Sequence, residues 1–465
     1  MTEFQEEKKT RILLAGASGY VGKALIPKLL ERFPNAHLTA LSRIDQKSTD
    51  PRVEWKVCDL FSLTSLKAAS PENVDIAFYL VHSMTPAAQL DQGTFADCDL
   101  LLADNFARVM KESNAKHLIY LGGLIPQSQH ISLHLKSRLE IEELFKGSDL
   151  PLTIFRAGLI LGEEGSSFQI LLKLVKRLPI MICPKWTQNL TTPVDLETVL
   201  NAILDSTDGD KHLGKVYDLC GCGPITYIEM MRQTAKALGK KRLFFSVPFF
   251  TPTLSRLWVS LITNTPKTLV YPLIESLGCE MLARKSHMFP QSKPLRTYEE
   301  LIKTMYLKIY PSSSIFHFQP SRRTVRSIQR FLLLNSLDAE STCKHYFEWL
   351  GVFLNPIVQS KYSERGDVVS LYFLKILILQ MKSNSAKDPD RHVMSIKNGI
   401  LVAENNRGII EFRTVLERKY LLIAIYDYTP SLPWFIYRYT QAKFHHLVMK
   451  AFAKELSNPI LKVRP

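Results

Sequence analysis

The chain has 465 residues, which is too long for one typical domain and predicts two or three. Hydrophobic residues make up 46% of it, enough for sizeable cores, and no charge-free run of about twenty apolar residues is present to cross a membrane. The formal net charge of +15 lies in the second half of the chain. Residues 1–225 hold 24 Lys and Arg against 27 Asp and Glu, whereas residues 226–465 hold 35 against 17.

The basic second half is compatible with three kinds of surroundings. Such a surface attracts anionic lipid or nucleic acid, and a lysine-rich solvated surface accounts for the charge equally well. The sequence carries no helix-turn-helix signature, zinc knuckle or aromatic-interleaved basic motif, so nucleic acid is not an expected partner.

The first ten residues are charged, and the seven cysteines form no C-x-x-C pair or metal-ligand spacing. These features predict a cytoplasmic protein with reduced thiols and no metal site. Peripheral contact with a membrane, through the basic half, stays open.

The chain begins with a short apolar strand that runs into three glycines. Residues 11–22 read R-I-L-L-A-G-A-S-G-Y-V-G, and a helix-like run over 23–32 follows. In G-x-x-G-x-x-G the first glycine permits the strand-to-helix turn, the second lets the backbone approach a pyrophosphate, and the third lets the helix pack on the sheet. The pattern predicts a dinucleotide site, with an ordinary strand–loop–helix turn as the alternative. The residues expected to bind the cofactor here are Gly16, Ser18, Gly19, Tyr20, Val21 and Gly22.

The residues after the second and third predicted strands distinguish two cofactors. Ser42 and Arg43 follow the second strand. An acidic residue there would bind the ribose hydroxyls of NAD, whereas an arginine suits the 2′-phosphate of NADP. NADP is therefore the expected cofactor, although Asp45 keeps NAD open and a solvated surface charge is the alternative for Arg43. Asp59 and Leu60 are expected near the adenine, with a helix N-cap as the alternative for Asp59.

Strand and helix patterns alternate over the first 225 residues. The predicted strands are Ile12–Ala15, Leu38–Leu41, Glu54–Val57, Ile76–Val81, His117–Leu121 and Leu152–Arg156. Helical stretches lie between them, notably Phe95–Ser113 and Ser132–Phe145. This alternation predicts an α/β fold with a doubly wound parallel sheet, a Rossmann domain. Its ligand crevice is expected at the carboxyl ends of the first, second, fourth and fifth strands.

The remaining sequence predicts two further parts. Residues 226–300 are apolar and helical in pattern, which predicts a helical subdomain, with a lipid-facing patch as the alternative; the first domain then covers 1–300. After a Ser-, Pro-, Lys- and Arg-rich boundary come a helix opened by Asp338, several β-rich stretches and a closing helix from Pro433 to about Leu456. This order predicts an α+β domain over 311–465. The β-rich stretches are Val368–Met381, Val393–Ala403, Gly408–Glu417 and Tyr420–Tyr428.

Several ordered stretches of the first 300 residues carry a family resemblance. They are Gly16–Gly22, Tyr79–Met84, Tyr120–Leu124, His134–Glu140, Arg156–Gly162 and Leu178–Pro184. On these stretches the N-terminal part resembles the atypical short-chain dehydrogenase/reductase family, in particular proteins related to the accessory nucleotide-binding subunit of respiratory complex I and the NmrA-like regulators. The resemblance implies a Rossmann fold and an NAD(P) cofactor. It adds Val81, His82 and Gly122 to the expected cofactor contacts.

The chain departs from active members of that family at the catalytic positions. Active members use a serine after the fifth strand and a Tyr-x-x-x-Lys on the next helix. Here the strand ends in Gly122 and Gly123, and the helix carries His134 and Arg138 at the tyrosine and lysine positions. Both lie on one helical face, so His134 could act as an acid or base and Arg138 could hold ribose hydroxyls or a phosphate. Alternatively, the pair only binds the cofactor or closes the crevice.

The C-terminal part resembles a START-like helix-grip domain of unknown function. The stretches that carry this likeness are Lys397–Ile400, Gly408–Arg413, Pro430–Trp434 and Phe444–Met449. The resemblance implies a curved antiparallel sheet that wraps a long C-terminal helix around an apolar cavity. Residues 311–465 hold 22 Lys and Arg against 12 Asp and Glu, so an amphiphile with an acidic head would suit its mouth. The helical stripe predicted to face the core or the ligand is Tyr437, Phe444, Leu447, Val448 and Ala451.

Two functions compete on these grounds. One is an NADP(H)-dependent oxidoreductase that acts on a hydrophobic carbonyl or quinone-like substrate, with hydride chemistry supplied by the nicotinamide. The other is a non-catalytic NADP(H) sensor or assembly factor whose second domain binds lipid or a partner.

Overall fold

The computed structural model describes residues 9–82, 90–128, 131–162, 164–247, 252–290, 294–306, 325–333, 337–403 and 407–457. These residues fall into two compact units. The first unit contains residues 9–82 and 105–306, and the second contains 90–104 and 325–457. Residues 90–104 were expected in the first domain and belong instead to the second unit, because β5 (Leu90–Gln92) pairs with its sheet and Asp104 pairs with its buried Arg413.

The strands, in chain order, are β1 (Arg11–Ala15), β2 (His37–Ser42), β3 (Val53–Val57), β4 (Ile76–Tyr79), β5 (Leu90–Gln92), β6 (Leu118–Gly123), β7 (Leu152–Ala157), β8 (Ile160–Leu161), β9 (Ile180–Pro184), β10 (Leu190–Thr191), β11 (Val194–Asp195), β12 (Val216–Leu219), β13 (Ile225–Thr226), β14 (Leu243–Val247), β15 (Val325–Leu332), β16 (Val358–Tyr362), β17 (Val368–Phe373), β18 (Ile376–Asp388), β19 (Arg391–Asn398), β20 (Ile409–Val415) and β21 (Tyr420–Tyr428). The α-helices are α1 (Tyr20–Arg32), α2 (Leu63–Ala69), α3 (Phe95–Glu112), α4 (Leu133–Lys146), α5 (Ser166–Arg177), α6 (Leu196–Asp205), α7 (Tyr227–Ala237), α8 (Pro252–Thr263), α9 (Lys267–Ser276), α10 (Tyr298–Tyr306), α11 (Ala339–Phe353), α12 (Trp434–Tyr439) and α13 (Gln441–Leu456). Among the described residues, none of these helices combines the length and apolarity needed to cross a membrane.

The first unit is built on a seven-stranded sheet in the order β3-β2-β1-β4-β6-β7-β12. Every neighbouring pair in it runs parallel. The chain moves outward from β1 through β2 to β3 and then restarts on the other side at β4. This reversal between β1 and β4 is a topological switch point, where parallel α/β sheets bind their ligands. The predicted parallel Rossmann-like sheet is confirmed.

The core of the first unit explains why α1 forms and where it lies. Leu25 and Leu29 recur at helical spacing on its buried face and pack in one cluster with Ile12 and Leu14 of β1. Each buried leucine contributes about 1.5–3 kcal/mol relative to an exposed one. A second cluster joins α5 to α7 and α10, and only the last two of these lie in the region predicted as a helical subdomain, 226–300, or at its end. That region also contributes β14, which pairs in parallel with β9.

The second unit is built on an eight-stranded sheet in the order β16-β17-β18-β19-β20-β21-β15-β5. Its pairs are antiparallel except for β15 with β5, which are parallel. The sheet packs against α11 and α13. The predicted antiparallel sheet with helices is confirmed at this level, and the predicted stretch Val368–Met381 divides into β17 and β18 at a two-residue turn.

The closing helix differs from its prediction in two ways: it is interrupted, and its second part buries a different face. It breaks at Thr440, whose φ of −115° and ψ of −84° are not helical. Of the predicted stripe, Tyr437 and Val448 are buried, whereas Phe444 and Leu447 are exposed. The break separates α12 from α13, and α13 buries a different face, Ala442, Val448, Met449, Phe452 and Leu456.

The space between the sheet and α13, where an apolar cavity was predicted, holds packed aromatic rings. The ring of Phe452 lies 4.9 Å from that of Tyr346, 5.1 Å from that of Trp349 and 5.9 Å from that of Phe331, between centroids. A groove of about 450 Å³ instead lies beside the first half of α13. It is lined by Gln92, Gly93, Lys443, His446 and Leu447.

A buried ionic cluster holds residues 90–104 to the second unit. Arg413 is almost fully buried, and its guanidinium donates to Asp104 Oδ2 at 2.7 Å and to Glu411 Oε1 at 2.6 Å. Arg391 and the Tyr426 hydroxyl also donate to Glu411, at 3.0 Å and 2.9 Å. Burial alone would raise the pKa of Glu411, but the charges of Arg413 and Arg391 outweigh it and lower that pKa to about 2. The contribution of Glu411 to stability is therefore present above its unfolded-state pKa and is lost as pH falls toward 2.

We expect Arg413→Met to destabilise the protein by about 3–5 kcal/mol, because Asp104 would keep a buried charge without its partner. Arg418→Met is the matched control: its guanidinium donates to the half-exposed Asp390 at 2.9 Å, and such pairs contribute less than about 1 kcal/mol. Urea unfolding followed by circular dichroism measures both losses. Equal losses in the two variants would contradict a stabilising role for the cluster.

Candidate functional site

The turn between β1 and α1 depends on two glycines whose backbones are approached closely. Gly16 has a φ of +88°, and a Cβ there would lie 2.8 Å from the carbonyl oxygen of Leu80. A Cβ on Gly22 would lie 2.2 Å from the carbonyl oxygen of Gly16. Side chains at either position would push α1 away from β1 or the turn away from the loop after β4. The glycines thus bring the N-terminus of α1 to the carboxyl end of β1.

The N-terminus of α1 has the character of an anion site. Its N-cap is Gly19, which is exposed, extended and without a side chain to cap the helix, and its first turn holds no acidic residue. The first N–H groups of a helix lack intrahelical acceptors, and the helix dipole favours negative charge there. A Cβ on Gly19 would meet only the carbonyl oxygen of Gly16, at 3.1 Å, so the space in front of the helix is open. A pyrophosphate fits this position.

The other predicted residues of this turn surround the same opening. Ser18 is exposed and Val21 is half-buried. The phenol of Tyr20 lies over the loop after β8: a Cβ on Gly162 would fall 1.3 Å from its oxygen. Gly162, which was noted only as part of a family motif, therefore provides the room for the Tyr20 ring.

The loops after β2 and β3 are shaped by local hydrogen bonds. Ser42 is buried, and its hydroxyl accepts from the backbone N–H of Ile44 at 3.3 Å. Arg43 beside it is exposed to solvent at the end of β2. Asp59 accepts from the N–H of Phe61 at 3.1 Å, a turn that precedes α2. The N-cap of α2 is Ser62, so the N-cap interpretation of Asp59 is wrong.

The loop that holds Leu60 is fixed by a residue the sequence did not indicate. Asn105 is fully buried, and its side-chain amide donates to the carbonyl oxygens of Leu60 and Phe61 at 2.8 Å and 3.0 Å. Buried asparagines within helices carry no local sequence signal, because their partners lie far along the chain.

The predicted pair His134 and Arg138 is brought together with His82, which lies between them. The Nε2 atoms of His82 and His134 are 2.9 Å apart, and their ring centroids are 5.0 Å apart. Arg138 is buried and hydrogen-bonds to His82 Nδ1 through Nη2 and to the carbonyl oxygen of Val81 at 3.3 Å through Nη1. His134 Nδ1 lies 3.0 Å from the hydroxyl of Ser276 at the end of α9. We call these four side chains the His82–His134 relay.

The hydrogen-bond partners at the two ends of the relay determine which nitrogen of each histidine carries its proton. The Ser276 hydroxyl donates to the carbonyl of Pro272 at 2.9 Å, so it accepts from His134 Nδ1–H. Arginine can only donate, so His82 Nδ1 is an acceptor and the proton of His82 is on Nε2. That proton points to His134 Nε2. Both ring nitrogens of each histidine have a hydrogen-bond partner when both histidines are neutral, and the hydrogen bonds run from Arg138 through His82 and His134 to Ser276.

Glycines at the end of β6 leave room for this arrangement. A Cβ on Gly122 would meet the ring of Tyr120 at 2.9 Å, and one on Gly123 would contact Arg138 at 3.6 Å. Active members of the dehydrogenase family that the sequence resembles carry a serine after this strand. At the end of β6 this chain has glycines instead, and so no side chain. Ser276 was not predicted, because it lies 142 residues from His134 and its helix showed only an apolar pattern.

Arg156 of the predicted family motif serves a buried ionic group. Its guanidinium donates to both carboxylate oxygens of Glu142 at 2.8 Å and 2.6 Å. Asp218 of β12 pairs with Arg284 at 2.9 Å. Burial raises the pKa of Asp218 to about 6, and the Arg156 charge opposes that rise. These residues link α4, β7 and β12 and do not reach the glycine turn.

Within the described ranges, no group of three or more His, Cys, Asp or Glu side chains is placed to hold a metal ion. Comparison with known proteins points to a nicotinamide dinucleotide instead. The model of an NAD(P)H-binding family matches residues 16–176, the part that contains the glycine turn and the relay histidines. The first unit therefore contains an NAD(P)H-binding Rossmann domain.

Individual proteins match this chain either over a small part of its length or at low sequence identity. The auxiliary protein GraX of Staphylococcus aureus is 33% identical over 117 residues, which is 25% of this chain and 37% of GraX. The chain thus matches well under half of that relative. A triphenylmethane reductase from Citrobacter has a similar fold, with a TM-score of 0.51 and 18% identity over 64% of this chain and all of that one. A nucleoside-diphosphate-sugar epimerase from Staphylococcus aureus gives a TM-score of 0.49 and 14% identity over 63% of this chain and 99% of that one.

We expect Gly19→Val to abolish binding of NADPH while the thermal unfolding temperature stays close to that of the wild type. A side chain at Gly19 would fill the open space where the pyrophosphate is expected, and its Cβ would meet only the Gly16 carbonyl oxygen, at 3.1 Å, a contact that a small local shift relieves. Gly22→Val should instead lower the unfolding temperature, because its Cβ would collide with the backbone of Gly16. Fluorescence titration with NADPH and differential scanning fluorimetry separate the two effects. Wild-type affinity in Gly19→Val would contradict this placement of the cofactor.

Proposed function

We propose that the first unit is an NADP(H)-dependent oxidoreductase acting on a hydrophobic carbonyl or quinone-like substrate. One observation carries the proposal: the glycine turn and the His82–His134 relay lie at the carboxyl ends of neighbouring strands around the switch point between β1 and β4. Dinucleotides bind across such switch points, and a titratable pair beside one is placed for proton transfer.

The choice of NADP over NAD rests on the end of β2. Ser42 holds the turn, and Arg43 extends from it into solvent. In this fold the ribose next to the adenine lies at that strand end, where an arginine pairs with a 2′-phosphate. Asp45, the residue that would favour NAD, lies two residues further along the loop.

The relay would supply the proton that carbonyl reduction requires. When bound, the reduced nicotinamide supplies the hydride. In the neutral relay the only proton of His134 is on Nδ1, so a proton taken up from solvent would bind its Nε2, with the Nε2–H of His82 turned away. The imidazolium of His134 would then give that proton to the oxygen of the reduced substrate and return to the neutral state. Arg138 positions His82 and has no acid–base role of its own, because guanidinium does not deprotonate.

A second candidate is a non-catalytic NADP(H) sensor, and a specific observation favours it. Both ring nitrogens of His82 and both of His134 already have hydrogen-bond partners. A substrate must displace one of these contacts before it can receive a proton. In this alternative the relay only closes the crevice, and the second unit, for which a START-like fold was expected, binds lipid or a partner.

We expect Arg43→Ala to remove a tenfold to hundredfold preference for NADPH over NADH, because a charge-assisted pair with a phosphate contributes about 1.5–3 kcal/mol. Isothermal titration calorimetry with both cofactors measures the preference. Lys47→Ala, an exposed cation in the same loop, is the control and should leave it unchanged. A preference that survives in Arg43→Ala would contradict the proposed phosphate contact.

We expect His134→Ala to lower turnover about 10²–10⁴-fold with NADPH and a quinone or aromatic aldehyde, while NADPH affinity changes little. Lys136→Ala, exposed on the same helix, is the control for helix effects. Oxidation of NADPH followed at its absorbance maximum measures the rate. Equal turnover in His134→Ala and wild type would contradict the relay's role, and NADPH binding without any turnover would favour the sensor.

A further inference from the structure

One end of the eight-stranded sheet in the second unit exposes a continuous group of large apolar side chains. Phe373, Leu374 and Ile376 form the turn between β17 and β18, with Ile357 and Ile400 beside it; we call these five residues the apolar tip. Between 41% and 67% of each is exposed to solvent. The residues are neighbours: the N–H of Leu374 donates to Ile357 O at 3.4 Å, and the N–H of Ile400 donates to Leu377 O at 3.2 Å.

The turn at the centre of the apolar tip is unfavourable for the residues it holds. Phe373 pairs with Ile376, so Leu374 and Lys375 are the two residues of a tight hairpin, with φ values of +46° and +73°. Two-residue hairpin turns with both φ values positive favour Asn-Gly. The sequence places a leucine and a lysine there instead, and it exposes the leucine. The positive φ values of Leu374 and Lys375 and the exposure of the leucine both lower the stability of the folded protein in water. Strained positions of this kind are retained where function needs them.

The charges around the apolar tip have one dominant sign. The described segments at this end of β16 to β21, together with the start of α12, are 353–360, 371–379, 396–403, 407–410 and 426–438. They contain four cations, Lys375, Lys397, Arg407 and Arg438, and one acidic residue, Asp427. The four cations are all exposed. An apolar group with cations at the same end of the sheet is complementary to an anionic lipid surface, in which acyl chains lie beneath acidic headgroups.

The start of α12 extends this surface. Ser431 donates from its backbone N–H to Leu401 O at 3.1 Å, which places the beginning of α12 beside Ile400. Phe435, the second residue of α12, is 73% exposed, and Arg438 follows one turn later. Aromatic rings flanked by cations are the side chains that occupy the membrane–water interface.

We propose that the apolar tip and the start of α12 form a docking surface for anionic membranes. Leu374 and Phe373 enter the headgroup–acyl boundary, and the four cations contact acidic headgroups. The contact is with the surface of the membrane. The inference rests on the second unit alone and does not depend on the proposed function of the first.

The double variant Leu374→Asn with Lys375→Gly tests this proposal on the full-length protein. It removes the inserted leucine and one cation, and it also installs the preferred turn residues, so we expect its unfolding temperature to rise by a few degrees. Cosedimentation with vesicles measures binding. We expect the wild type to bind vesicles of phosphatidylcholine with phosphatidylglycerol and not vesicles of phosphatidylcholine alone. The double variant should bind the anionic vesicles about tenfold more weakly.

Leu261→Asn, which removes a leucine of α8 that is even more exposed than Leu374, is the control in the first unit and should bind like the wild type. Failure of the wild type to bind anionic vesicles, or equal binding by the double variant, would overturn the proposal. Self-association of the wild type in light scattering, lost in the double variant without any vesicle binding, would assign the tip to a second copy of the chain and also overturn it.

Discussion

The contact between the first turn of α1 and the end of β1 is the constraint on which the candidate site depends. A single added carbon at Gly22 would come within 2.2 Å of the Gly16 carbonyl, so the helix can lie where it does only without a side chain there. That approach aims the start of α1, whose first N–H groups lack intrahelical acceptors and which is the positive end of the helix dipole, over the switch point between β1 and β4. Leu25 and Leu29 hold it there through the core.

The second determinant of the site is a chain of hydrogen bonds between groups that are distant in sequence. His82 follows β4, His134 and Arg138 lie on α4, and Ser276 ends α9. Each group restricts the proton position of the next, so the ends of the relay determine the tautomer of both histidines. A serine and a tyrosine–lysine pair are absent from their usual positions, and a differently composed network occupies the same edge of the sheet.

The N-terminal sheet could be predicted from the sequence because its strands are short apolar runs separated by helical patterns, as at Ile12–Ala15 and Ile76–Tyr79. The second unit was harder to predict. β16 is largely polar, β15 follows a basic boundary region, and β5 owes its place to partners more than 200 residues away in the sequence. The face of α13 was misassigned, because the break at Thr440 resets the helical phase. Ser276 and Asn105 could not be found, since their roles arise from tertiary contacts alone.

A crystal structure of the protein with NADPH tests the central claim most directly. We expect the pyrophosphate against the backbone N–H groups at the start of α1, the 2′-phosphate at Arg43, and the nicotinamide ring within reach of the His82–His134 relay. A cofactor bound elsewhere, or a pyrophosphate away from the start of α1, would contradict the account.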